Sequence, residues 1–143
     1  MVLEEVENIL GGQRNLSIKL RSQMDLVDLA HKGVNKIALN HLVKYLDISQ
    51  KRMATILKIT PKTIQARKPK DNFPITISEQ ILRIAEVAAR GLEVFGDDEK
   101  FRRWLHLPNV ALGKKTPFDL LDTNYGTDLV LDVLGRIEHG VHS

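Results

Sequence analysis

The chain has 143 residues, enough for one domain or two small ones, and 43% of them are apolar, an ordinary share for a protein that buries a core. It contains no cysteine, which excludes disulfides, thiolate metal sites and a thiol nucleophile and suits a reducing compartment. The formal net charge of +3 is unevenly spread: residues 49–72 carry seven Lys or Arg against Asp71 alone, whereas residues 97–143 carry six basic and eight acidic residues. A basic island of this kind points either to a polyanion partner at one place or to a solvated helical face.

The opening "MVLEEVENIL" is acidic ahead of its apolar residues, and no apolar run approaches the length a bilayer needs. The expectation is a soluble cytoplasmic protein with no signal peptide and no membrane contact. The first forty-odd residues are placed only as helical. In "NKIALNHLVKYL", Ile37, Leu39, Leu42, Val43 and Leu46 fall on one stripe of a helix, which Asp47 or Ile48 ends. Ser49 then caps a short helix in which Met53, Ala54 and Leu57 face inward. Ile59 plugs the turn, Thr60-Pro61 starts a second helix, and Ile64 and Arg67 continue it. Small Ala54 is what two helices crossing steeply at close range require.

"KPKDNFPI" holds two prolines and no periodicity, so it reads as a linker or boundary, dividing the chain into residues 1–72 and 73–143. Beyond it, Ile81, Ile84, Ala85, Ala88, Leu92 and Phe95 form the stripe of a long helix closed by Gly96. Asp97 is placed to cap "DEKFRRWLHL", which Pro108 limits, and Thr116, Pro117 and Asp119 repeat the Thr-Pro start. In the last helix Leu129, Val130, Val133, Leu134 and Ile137 stand at core spacing, and Gly140 ends it before a tail of Val141, His142 and Ser143. No stretch alternates as a strand does, so the predicted fold class is all-α.

The pair of helices in "ISQKRMATILKITPKTIQARKPK" has the geometry of a helix-turn-helix, which serves DNA binding or plain packing. Its Ser-Gln, small Ala, apolar turn residue and Thr-Pro start resemble the Xre/Cro-type DNA-binding family. Lys58 departs from it, standing where many members have glycine, and a left-handed lysine is costly enough to leave the turn less regular. Insertion of the second helix in a major groove would put Lys62, Thr63, Gln65 and Ala66 at base edges, Gln65 able to pair adenine and Lys62 guanine. Thr60, Lys51, Arg52 and Lys68 are then placed to touch phosphates.

The closing "LGRIEHGVHS" crowds Arg136, Glu138, His139 and His142 around one glycine. Its groups do not combine with His31, His41 or His106 at metal-ligand spacing, and the chain has no nucleophile elbow or phosphate-cradling loop, so no metal, no cofactor and no enzyme activity are expected. Over about forty residues, "WLHLPNVALGKKTPFDLLDTNYGTDLVLDVLGRIEHGVHS" resembles the C-terminal domain of the Xre/MbcA/ParS class of bacterial antitoxins. The shared features are Leu-Pro-Asn, Leu-Gly before Thr-Pro, Asp-Leu-Leu-Asp-Thr, the glycine before the last helix and the Arg-Ile-Glu-His-Gly-Val close; Lys114 departs where a second glycine is common.

The resemblance implies an N-terminal helix-turn-helix domain followed by a small helical toxin-binding domain. It implies a type II antitoxin that covers the active site of an NAD-degrading RES-domain toxin and represses its own operon. The residues it carries over to toxin binding are Arg136, Glu138, His139, Gly140 and Val141, with His142 and Ser143 as the tip. A homodimer on operator DNA, joined by toxin in a hetero-oligomer, is expected. The competing reading is a stand-alone helix-turn-helix regulator responding to a small molecule, which would need a pocket with convergent polar groups.

Overall fold

The computed structural model describes residues 2–140, and its regular structure is helical, with two isolated β-bridges, Asn35 to Asn72 and Asn109 to Lys115, and no strand among them. The α-helices are α1 (Val2–Ile9), α2 (Gln13–Leu16), α3 (Gln23–Lys32), α4 (Lys36–Leu46), α5 (Gln50–Leu57), α6 (Pro61–Gln65), α7 (Ile75–Phe95), α8 (Asp98–Leu105) and α9 (Asn124–Glu138). Two 3-10 turns, Val110–Leu112 and Phe118–Asp122, separate α8 from α9.

The caps explain most boundaries. Asn35, Ser49, Thr60 and Thr123 each turn a side-chain oxygen onto an amide of the first turn they precede. α4 and α5 both end in Schellman motifs, the Ile48 N–H reaching Val43 O at 3.3 Å and the Ile59 N–H reaching Ala54 O at 3.0 Å. Such an ending needs a left-handed residue, and Asp47 (φ 56°) and Lys58 (φ 58°) supply it. The turn between α5 and α6 is therefore regular, with Lys58 in the slot where glycine is usual. Lys114 (φ 67°) fills a second left-handed slot beside Gly113.

α7 is the spine: α1, α3 and α9 lie along it, and α8 folds back on its end. Its 21 residues span about 30 Å at the helical rise. Buried side chains from Val6 to Leu134 join in one continuous core, including fully buried Phe101 and Phe118 and the stripes of α4 and α7. Gly91 is required here, because a Cβ would stand 2.1 Å from the Phe101 ring.

Five expectations are corrected by this packing. The segment "KPKDNFPI" is no free linker: Phe73 is buried and its N–H bonds Val34 O at 2.8 Å, while the Ser78 hydroxyl joins Val34 N–H to Phe73 O. α6 stops at Gln65, and Arg67, instead of continuing it, donates to Asn72 O at 2.9 Å and lies 5.1 Å from the centre of the Phe73 ring. Thr116 does act as a cap, accepting the Asp119 N–H, but only five residues fit before Thr123 caps α9, so the product is a 3-10 turn. Leu129, expected in the core, is half exposed, and Gly126 lies inside the first turn of α9 rather than before it.

Candidate functional site

The basic island folds as a steep pair of short helices whose small inner residue, Ala54, is fully buried with Met53 and Ile64. Around α6 the side chains divide by what already holds them. Thr60 and Thr63 face each other, with hydroxyls 2.9 Å apart and the Thr63 amide donating to Thr60 Oγ1 at 3.2 Å, so both are spent on the cap. Lys62, Gln65, Ala66 and Lys68 are exposed, as is Lys51 on α5. Lys62 stands three and four residues before Gln65 and Ala66, on one face of the helix. The Lys36 ammonium, which sequence reasoning passed over, caps the other end of α6 through Arg67 O at 3.1 Å.

Arg52 is turned elsewhere. Its guanidinium lies 4.5 Å from the centre of the Phe118 ring, Nη1 is 3.4 Å from His106 Nδ1 and Nη2 donates to Asp119 at 3.3 Å. His106 in turn donates from Nε2 to Leu46 O at 3.0 Å, which leaves Nδ1 as the acceptor facing Arg52. Arg52 thus ties the helix pair to the later residues instead of standing free for a phosphate. Other ties run along the same seam: Gln80 donates to Ile56 O and Leu121 O, and Arg102 to Tyr45 O. Burial and its hydrogen bond to Asp98 hold the Tyr45 phenol well above its ordinary value, so it stays a neutral donor.

At the far end, α9 presents Arg136, Glu138 and His139 near its last turn, with Gly140 next at φ 76°. Arg136 and His139 are exposed. Glu138 is not free: Arg90 of α7 grips it with hydrogen bonds of 2.8 and 2.6 Å and also holds Glu93. Those bonds keep the Glu138 carboxyl below its ordinary value and the Arg90 guanidinium above its own. Val141, His142 and Ser143, expected at the tip, lie outside the described residues. No group of three His, Asp or Glu among the described residues is placed to hold a metal ion.

The outward face of this block carries apolar residues that periodicity could not assign to a partner. Tyr125 is 87% exposed, Val110 80% and Leu129 50%. Tyr125 and Leu129 are one turn apart on α9, against which the Val110–Leu112 turn packs. No helix among the described residues is long and apolar enough to cross a membrane.

A helix-turn-helix that exposes Lys62 and Gln65, joined to a helical block that exposes Tyr125, Val110 and Leu129, has the make-up of a two-part binding protein. Residues 25–86 match the antitoxin Xre-like helix-turn-helix domain, and residues 90–140 match the antitoxin Xre/MbcA/ParS C-terminal toxin-binding domain. The chain is 30% identical over 120 residues to an antitoxin Xre of Yersinia enterocolitica, covering 82% of this chain and 81% of the relative. It is 30% identical over 130 residues to a Prs ADP-ribosylating antitoxin of Sphingobium, covering 83% and 81%. An antitoxin Xre of Photorhabdus laumondii is 37% identical over 75 residues, about half of each chain (52% and 51%). The chain belongs to the Xre family of antitoxins.

Proposed function

We propose that this chain neutralises a RES-domain toxin by laying the end of α9 and the tail beyond it over the toxin's NAD site, and that it represses its own operon through α6. The operator-binding unit is assigned to residues 1–72 and the toxin-binding one to 73–143. The observation that carries the first part is the match of residues 90–140 to a toxin-binding domain whose outer face exposes Tyr125, Leu129 and Val110 beside Arg136. Contiguous exposed apolar side chains are what a protein interface buries. One relative's name refers to ADP-ribosylation, a reaction that consumes NAD, which accords with an NAD-degrading partner. Arg136, His139 and Gly140, with Val141, His142 and Ser143, are the proposed inhibitory contacts; Glu138 supports them by fixing the helix end to Arg90.

For DNA, Lys62, Gln65 and Ala66 are the proposed base-facing residues, with Lys51 and Lys68 on phosphates, and the repressor acts as a homodimer in the cytoplasm on paired half-sites. No reaction is assigned to the chain itself. The test is a mixture of purified full-length chain with a RES-domain toxin encoded beside it. A stable complex in which NAD loss stops supports the proposal, and unimpeded NAD loss with the chain in excess overturns it.

A further inference from the structure

A cavity of about 500 Å³ opens between α1 and the irregular residues 19–21, ahead of both family matches. Its walls carry opposite charges: Glu4 and Glu7 on α1, Lys19 and Arg21 across from them, with Leu3 and Leu20 as the apolar lining. Glu7 is only 6% exposed, and one carboxylate oxygen accepts the Leu20 N–H at 2.6 Å. No ion pair among the described residues joins Glu7 to a cation. A buried carboxylate without a cation is costly, and such groups are ordinarily paired. A cation entering the cleft would compensate it, and the two basic side chains on the same lining call for an anion on the same molecule. The volume lies within the range of small-ligand sites.

We propose that this cleft binds a small zwitterion, an amino acid or short peptide, with its ammonium on Glu7 and its carboxylate on Lys19 and Arg21. Glu4 assists at the rim and Leu3 and Leu20 cover the intervening carbons. The cleft lies ahead of both family matches and shares no residue with the proposed operator or toxin contacts, so the proposal stands independently of them.

Calorimetric titration of the full chain with the dipeptide Ala-Leu, with free leucine, and with N-acetyl and C-terminal amide forms of each is the test. At least one of the two zwitterions is expected to bind with a Kd of about 1 mM or tighter, and capping either end to weaken binding about tenfold or more. Binding of leucine as well as Ala-Leu assigns the free amino acid; binding of Ala-Leu alone assigns the peptide. Glu7→Gln should lose binding, and because that site is buried, the exposed pair Lys19→Ala and Arg21→Ala provides a second variant, expected to weaken binding about tenfold with the fold intact. No heat from either zwitterion at about 10 mM, equal binding of the capped forms, or full affinity in the exposed-pair variant overturns the proposal.

Discussion

Arg52 sits over the ring of Phe118, 66 positions later in the chain, with the guanidinium 4.5 Å from the ring centre. The contact joins α5 of the helix-turn-helix to the 3-10 turn that props α9. Arg52's contacts with His106 and Asp119 add two further ties across the same seam. Arg52→Ala is expected to cost about 1 kcal/mol of stability, the scale of a half-exposed cation over an aromatic ring. If Arg52 is structural, the salt dependence of operator binding stays unchanged in the variant; chemical denaturation and salt-titrated binding separate the two effects.

Lys62 and Gln65 are expected to behave in the opposite way. Lys62→Ala should weaken operator binding by about 1–3 kcal/mol and relax the preference for guanine at the base it faces. Gln65→Ala should weaken binding to its own operator by about 1–3 kcal/mol and relax the preference at one base. Neither substitution should change the thermal midpoint, because both side chains are exposed and unbonded to the core. Gel-shift titrations at several salt concentrations read both effects.

The difference between Arg52 and Lys62 marks where the sequence was informative. Caps are local: Ser49 and Thr60 bond amides three residues on, so their types and spacing reveal the helix starts. The partners of Arg52 and Glu138 lie 67 and 48 positions away in the chain, and no local pattern distinguishes such an arginine or glutamate from a solvated one. Leu129 shares the helical spacing of its buried neighbours yet is half exposed, because spacing alone does not say how wide a stripe the neighbouring elements cover. Lys58 and Lys114 hold left-handed conformations that glycine adopts most readily, and a lysine in the sequence does not by itself announce one.

Gly126 fixes how α9 meets the preceding turn. A Cβ there would lie 1.9 Å from the Leu120 carbonyl oxygen, a backbone atom that cannot swing aside. Gly126→Ala is expected to destabilise the chain by about 3 kcal/mol, the upper end for overpacking, as read by urea midpoint. The same substitution at Gly135, where nothing lies within 4 Å, should be neutral or slightly stabilising.

The Arg90 to Glu138 pair predicts a pH dependence. Its hydrogen bonds lower the Glu138 carboxyl beneath its ordinary value of 4.5 in the folded chain. The folded state therefore binds that proton less readily than the unfolded one, so the contribution is present above 4.5 and is lost as pH falls through the depressed value. Stability of the native chain should exceed that of Glu138→Gln near neutral pH, and the gap should close on acidification. High salt should shrink it as well, since the carboxylate is open to solvent.

Occupation of the toxin's NAD site by the end of α9 and its tail is the central proposal. The direct measurement is NAD consumption by the RES-domain toxin in the presence of the full chain or of a chain lacking Val141, His142 and Ser143. The shortened chain is expected to bind the toxin still, through the face of Tyr125 and Leu129, but to leave NAD consumption running. Full inhibition by the shortened chain would contradict the proposal.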